Sequence, residues 1–325
     1  MSPTAQETAD LILAGDVRQA ARLMRGVDDD LPSAVEVLKL LHPHTGRAWV
    51  LGFTGSPGVG KSTLTDQVIG AVRAQGKSVG VVAVDPTSPF TGGAILGDRI
   101  RMQRHATDEG VFIRSLATRG QFGGLTASTR GVATVMDAMG KDLVLVETVG
   151  VGQDEVDIVR MADTTVIVVV PGLGDDIQAI KAGILEAGDI FVVNKMDREG
   201  AGRTAAELQT MIAMRGQHVH SQQSWTPPVI MTCANDGRGL DELMAAVDGH
   251  RQALMAEDGR LLLERRRQRA RMELLELIKN RAMRVLLERL ERGQSLEVLA
   301  GQIASLERDP YSVVEEIMAD ASFKD

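Results

Sequence analysis

The stretch Gly55-Ser56-Pro57-Gly58-Val59-Gly60-Lys61-Ser62-Thr63 has the spacing G-x-x-x-x-G-K-[ST]. A polyphosphate needs many hydrogen-bond donors at close range. Glycines let backbone amides turn inward around it, and a helix that starts there adds the positive end of its dipole. Lys61 carries the charge to neutralise β and γ phosphates, and the Ser62 hydroxyl is a hard oxygen suited to Mg2+. Gly55, Gly58, Val59, Gly60, Lys61, Ser62 and Thr63 are therefore candidate nucleotide-binding residues, with Lys61 also a catalytic candidate.

Magnesium is held by a few hard oxygens and its own waters, so carboxylates at the ends of later strands should complete the site. Glu147 closes the apolar run Leu143 to Val146, the position of a Walker B acid, and the Gly150 amide two residues beyond Thr148 can face the γ-phosphate. Asp85 closes Val79 to Val84 and opens Pro86-Thr87-Ser88-Pro89-Phe90-Thr91-Gly92-Gly93, a loop too rich in Pro and Gly for regular structure and a candidate switch. Asp98 and Arg101 follow it. Alone, such acids are ordinary loop residues; beside a phosphate loop, Asp85, Asp98 and Glu147 become metal candidates, Asp85 and Glu147 catalytic ones, and Arg101 a switch residue.

Asn194-Lys195-Met196-Asp197 directly follows the apolar run Ile190 to Val193. Guanine presents an N1 proton and a 2-amino group that one carboxylate accepts together, whereas adenine offers an acceptor at N1 and would face Asp197 in repulsion. Asn194 would brace the loops, and the aliphatic stem of Lys195 would cover the ring. Thr232-Cys233-Ala234 follows the next strand, and the backbone at Cys233 and Ala234 can reach the guanine oxygen. In this order the three motifs favour GTP and GDP over adenine nucleotides.

Such residues need a rigid frame. From Trp49 onward, short β-branched runs alternate with segments of helical period, the sign of a mostly parallel sheet covered by helices. Strands are expected at 48–54, 78–85, 110–116, 142–147, 164–170, 190–195 and 229–233. Most show no apolar/polar alternation, as strands buried on both faces require. Residues 1–46 carry helical spacing broken by Asp28-Asp29-Asp30 and Pro32, and 250–325 are helical and leucine-rich. Three parts are thus expected: a helical extension over 1–46, an α/β P-loop NTPase domain over 47–249, and a helical arm over 250–325. The arm either packs on its own nucleotide domain or pairs with a second subunit. Its basic run Glu264-Arg265-Arg266-Arg267-Gln268-Arg269-Ala270-Arg271 reads as a solvated face or as partners for nearby glutamates.

The chain has 325 residues, 36 basic against 44 acidic, for a net charge of −8. That field opposes nucleic acid and anionic membranes, so neither is expected as a partner. One cysteine permits no internal disulfide, which fits a reducing cytoplasm. His42, His44, His218 and His220 lack a cysteine or carboxylate cluster at metal-ligand spacing.

Together these residues resemble the MeaB/ArgK GTPases, chaperones of cobalamin-dependent acyl-CoA mutases within the SIMIBI class of P-loop proteins. The resemblance rests on Thr45-Gly46, Gly55 to Thr63, Val84 to Ser88, Thr91 to Arg99, Glu147-Thr148-Val149-Gly150-Val151-Gly152-Gln153, Asn194 to Asp197 and Asp309-Pro310-Tyr311. It implies GTP hydrolysis that gates adenosylcobalamin delivery to, and protects, a mutase such as methylmalonyl-CoA mutase. It places Asp85, Asp98 and Glu147 in a magnesium and switch region that also takes in Gln153. Pro171 to Lys181 resembles a further switch, with Asp175 and Lys181 relaying nucleotide state. It also implies a homodimer joined through the C-terminal helices. Cys233 stands where serine is more usual in the family.

Val151 follows Gly150 where small signalling GTPases carry a water-orienting glutamine, so slow intrinsic turnover is expected, rising when a mutase orders the switches. Two other readings are a metal-insertion GTPase, which one cysteine serves poorly, and a kinase associated with amino-acid transport, which would prefer ATP. A nucleotide-dependent scaffold without useful hydrolysis is a third. Charge-assisted hydrogen bonds contribute about 1.5–3 kcal/mol each. Asp197→Asn should therefore weaken GTP binding by a factor of roughly several hundred and favour xanthosine triphosphate; a titration that finds guanine preference unchanged removes Asp197 from base recognition.

Overall fold

The computed structural model describes residues 3–85, 102–117, 126–148, 158–172, 188–218, 225–292 and 295–320. Seven strands, β1 (Trp49–Thr54), β2 (Val79–Asp85), β3 (Val111–Ala117), β4 (Leu143–Glu147), β5 (Thr164–Val169), β6 (Ile190–Val193) and β7 (Val229–Met231), form one parallel sheet in the order β3-β2-β4-β1-β5-β6-β7. All seven lie where their apolar runs predict. The helices among the described residues are α1 (Ala5–Leu13), α2 (Val17–Asp28), α3 (Pro32–Leu41), α4 (Lys61–Ala74), α5 (Thr126–Ala138), α6 (Ala201–His218), α7 (Leu240–Arg292), α8 (Leu296–Ala304) and α9 (Pro310–Asp320).

Successive side chains of a strand point to opposite faces, and here both faces are covered. Val79, Val81, Leu143 and Leu145 share a core with Leu64, Val68 and Val72 of α4 and Leu243 and Val247 of α7. Their neighbours Val82, Val84, Val144 and Val146 pack instead with residues of α1, α2, α3 and α5, among them Ile12, Met24, Leu41 and Met136. A third cluster joins β5 and β6 to Ala205, Leu208 and Ile212 of α6. Each fully buried aliphatic side chain contributes roughly 1.5–3 kcal/mol, so the three N-terminal helices are bound into the sheet's core. Thr4 starts α1 through a capping box with Glu7, and α2 gives way to α3 across Asp29 to Leu31.

The chain divides into two compact units, Met1–Arg266 and Arg267–Asp325. In the second, Ser295 caps α8, and Asp309 opens α9 by accepting from the amides of Tyr311 and Ser312 at 3.0 and 2.9 Å. Leu274, Leu275, Leu277 and Ile278 on α7 are each more than half exposed.

Inside the first unit α7 breaks. Ala256 is extended (ψ 161°), and Glu257, Asp258 and Gly259 follow in the left-handed region with φ of 51, 58 and 75°. That conformation costs an L residue other than glycine about 1–2 kcal/mol. The turn brings Leu261 and Leu262 onto the same core that Leu243, Val247 and Leu254 enter before it. Arg265, in the basic run, does not pair with a nearby glutamate: its guanidinium donates to Asp189 Oδ1 at 2.5 Å and Oδ2 at 3.3 Å and to the Asp163 carbonyl at 3.0 Å. Asp189 also accepts from the Thr165 amide at 2.9 Å, and Trp225 Nε1 donates to its carbonyl at 2.8 Å. His250 sits beneath, Nδ1 against Thr164 Oγ1 at 2.9 Å, while Trp49 Nε1 donates to the same hydroxyl at 3.0 Å. Sequence spacing gives no sign of this network, because its members lie at six separate places along the chain.

Burial pushes the His250 pKa down to about 4, against the pull of Asp189 and Asp163 and aided by Arg265. Above about pH 6.5 the ring is neutral in both the folded and the unfolded chain. Below that the unfolded chain takes a proton that the folded chain refuses until about pH 4, so stability falls as pH drops through this window, by at most about 3 kcal/mol. Urea midpoints at pH 7.5 and 4.5 should therefore diverge more for the native chain than for His250→Gln. Equal losses would remove His250 from the acid sensitivity.

Candidate functional site

The described residues expected of the nucleotide site lie at the C-terminal ends of β1, β4, β6 and β7, the edge where open parallel sheets bind ligands. The loop after β1 runs into α4, whose first residue is Lys61 and whose N-cap is Gly60. Gly55 (φ 138°) lies so close to β5 that an added Cβ would stand 2.0 Å from the Val168 carbonyl oxygen. Gly60 (φ 95°) would drive a Cβ to 2.4 Å from Asn194 Nδ2. These two glycines are required by close approach as well as by backbone angle.

Lys61 is buried, and its ammonium donates to the carbonyls of Gly55 at 2.6 Å and Ser56 at 3.0 Å. The lysine thus crosses the hollow of its own loop, where a phosphate would compete for it. Ser62 Oγ donates to Glu147 Oε1 at 2.6 Å, both groups buried. Glu147 ends β4, which pairs with β1 so that Phe53 and Glu147 are opposite each other. Two hard oxygens, one from the first turn of α4 and one from the end of β4, are therefore held together at the mouth of the loop.

The base loop is tied to the phosphate loop by side chains. Asn194 leaves the β6 ladder, and Lys195 takes a left-handed φ of 58°, which ends the strand two residues before the expected Lys195. Asn194 Nδ2 donates to the Val59 carbonyl at 2.8 Å, and its Oδ1 accepts from the Ala234 amide at 3.0 Å and Thr232 Oγ1 at 3.1 Å. Lys195 Nζ donates to the Gly58 carbonyl at 2.8 Å. After β7 the chain folds back tightly, the Cys233 amide on the Arg238 carbonyl at 2.9 Å and the Gly237 amide on the Cys233 carbonyl at 3.0 Å. The Arg238 guanidinium beside Asp236 holds that carboxyl at about 2. Burial, then hydrogen bonding to Asp197 and Asp236, pushes the Cys233 thiol up, so it remains protonated.

A cavity of about 350 Å3 opens between these loops, lined by Pro57, Gly58, Gly60, Lys61, Ser62, Thr63, Glu147, Thr148, Asn194, Lys195, Cys233, Ala234 and Asn235. That volume is at the lower end for small-molecule sites. Val59 is buried behind the loop, and Asp197 is exposed beside the cavity, its carboxylate toward Cys233. The structure thus brings together Gly58, Gly60, Lys61, Ser62, Thr63, Glu147, Asn194, Lys195, Cys233 and Ala234, with Gly55 and Val59 behind them. Asp85 ends β2, but its side chain, and Asp98, Arg101, Gly150, Gln153, Asp175 and Lys181, lie outside the described residues. Thr148, Asn235 and Gln67 join the site without being singled out by sequence; Gln67 Nε2 donates to the Ala234 carbonyl at 3.1 Å from the middle of α4. Only the helical offset of Gln67 from Lys61 could have hinted at that contact.

A family model described as methylmalonyl Co-A mutase-associated GTPase MeaB matches residues 20–291. A protein of Pyrococcus abyssi named as a GTPase is 47% identical over 306 residues, covering 94% of this chain and 93% of its own. The methylmalonic aciduria type A homolog of Mus musculus, described as mitochondrial, is 34% identical over 67% of this chain and 52% of its own. Among solved structures, one titled LAO/AO transport system kinase superposes with a TM-score of 0.69 at 25% identity, over 97% of this chain and 96% of that one.

Asn194→Ala removes three hydrogen bonds inside the buried junction and leaves the Val59 carbonyl and the Ala234 amide without that partner. Each buried group so stranded costs about 1–3 kcal/mol. Thermal melting should fall by several degrees without nucleotide, and GDP affinity should fall about tenfold or more. A variant that melts and binds as the native chain does would show that the two loops are placed independently.

Proposed function

Since the chain belongs to the MeaB family of GTPases, we propose that its hydrolysis of GTP serves a cobalamin-dependent acyl-CoA mutase, gating adenosylcobalamin delivery to that enzyme and protecting it. The family description and the name of the mouse relative support the mutase assignment. The observation that carries the chemistry is the Asn194 bridge, which sets a guanine-type base loop against a lysine-bearing phosphate loop over one cavity. Loss of the γ-phosphate removes the group on which Lys61 and the neighbouring loops converge, and a client enzyme can sense that change.

Ser62 and Glu147 fit a magnesium ion, since both present hard oxygens, buried and already in contact at the phosphate loop. Such an ion would neutralise charge on the β and γ phosphates. Asp85 and Asp98 are proposed to complete its surroundings, with Arg101, Gln153, Asp175 and Lys181 as switch residues and Gly150 facing the γ-phosphate. Asp197 reads the guanine edge, and the protonated Cys233 thiol supports that carboxylate rather than acting as a nucleophile or metal ligand. A buried thiol of raised pKa serves metal insertion poorly, and the base loop does not favour the ATP that a kinase would use.

The helical arm over 250–325 is proposed to join two copies. Leu274, Leu275, Leu277 and Ile278 leave a run of apolar surface on α7 that a second copy would cover. Among the described residues no helix is long and apolar enough to cross a membrane. With one buried cysteine and net negative charge, a cytoplasmic setting without membrane or nucleic-acid partners is the reading adopted.

The isolated protein should hydrolyse GTP slowly and accelerate by about tenfold or more on addition of methylmalonyl-CoA mutase, which should be captured differently in GDP and in a non-hydrolysable GTP analogue. Fast turnover indifferent to every acyl-CoA mutase tried would overturn the chaperone reading while leaving the GTPase assignment intact.

A further inference from the structure

The break in α7 separates two stretches that both enter the core of the first unit, and the stretch on its C-terminal side behaves as a plug. Leu261 and Leu262 are partly buried against the sheet core, and Arg265 inserts between the strand starts at Asp163 and Asp189. The socket is made by the beginnings of β5 and β6 with His250 and Trp225, and Asp189 is nearly buried. A carboxylate in that position requires a cation, and the socket is complete whichever chain supplies it.

The connection to the plug is short and unfavourable. Glu257 and Asp258 hold left-handed backbone angles although neither is a glycine, and both side chains are exposed. Were Ala256 to Gly259 to turn helical, α7 would run uninterrupted, relieving both residues but withdrawing the plug from its own socket. Short hinges under strain are where chains exchange such elements. Immediately beyond the plug, the same helix carries the exposed run Met272, Leu274, Leu275, Leu277 and Ile278, part of the surface proposed above to meet a second copy.

We propose that in the two-copy assembly α7 is helical through Ala256–Gly259 and that each chain seats Leu261, Leu262 and Arg265 in the socket of the other. The partner copy thereby completes the buried site beneath the strands whose far ends carry the phosphate and base loops. This rests on the two-copy reading given under Proposed function and goes further, by assigning which residues are exchanged.

Complementation between full-length chains tests it. An Arg265→Ala chain leaves its Asp189 facing no guanidinium, and alone it should melt roughly 5–10 °C below the native protein or fail to fold. Co-expressed with a differently tagged Asp189→Asn chain and purified through both tags, the pair contains one native socket if plugs are exchanged and none if they are not. Exchange predicts that the Arg265→Ala chain becomes soluble and melts within about 2 °C of native in the pair. A mixed pair that melts as low as Arg265→Ala alone overturns the exchange but leaves the dimer standing, whereas failure to recover any mixed pair overturns both. Gly259→Ala gives a second readout by its sign. In a continuous helix alanine should raise the melting temperature by about 2–3 °C. At a φ of 75° it should lower it, and a lowered value would also overturn the proposal.

Discussion

The phosphate loop and the base loop grow from β1 and β6, strands separated in the sheet by β5, so no ladder hydrogen bond connects them directly. Their spacing depends on one buried side-chain amide. Asn194 is the right residue because an amide both donates and accepts: its nitrogen takes the Val59 carbonyl and its oxygen takes the Ala234 amide and the Thr232 hydroxyl. Aspartate could accept but not donate, and leucine could do neither. Lys195 adds a second strut to Gly58, and Gln67 fixes the far loop to α4. A ligand that spans base and phosphates therefore meets one frame whose parts are positioned before it arrives, which limits the ordering cost of binding.

The frame was readable in the sequence where physical constraint acts on consecutive residues. An interior parallel strand must be apolar on both faces, so Val79 to Val84, Leu143 to Val146 and Ile190 to Val193 announce themselves without alternation. Gly55 and Gly60 are likewise legible, because a phosphate loop brings the backbone within about van der Waals contact of its neighbours. Asn194 could be proposed as a brace for the same reason: its type and its place after a strand limit what it can touch.

What stayed hidden depends on tertiary position. Ala256-Glu257-Asp258-Gly259 contains two good helix formers, and nothing in its period signals a break; the turn exists because Leu261, Leu262 and Arg265 have somewhere to go. Arg265 lies in a run of arginines that propensity assigns to solvent, and partners distant in sequence, the Asp189 carboxylate and the Asp163 carbonyl, distinguish it from Arg267. Gln67 and Thr148 are similar cases, ordinary residues given roles by what happens to stand opposite.

The nucleotide frame and the network around Arg265 occupy opposite ends of the same strands. β1 begins at Trp49, whose indole shares the Thr164 hydroxyl with His250, and ends at the phosphate loop; β6 begins just after Asp189 and ends just before Asn194. Central parallel strands are stiff and close-packed, so neither end moves far without the other. The Asp189–Arg265 contact therefore fixes the base of the structural elements that place Val59 and Asn194, even though it touches no part of the cavity. A buried ion pair is a poor source of net stability compared with apolar packing of the same volume. What it does supply is an unambiguous requirement for one guanidinium in one place, which is a reason to find it where the stretch of α7 after its break meets the starts of β5 and β6.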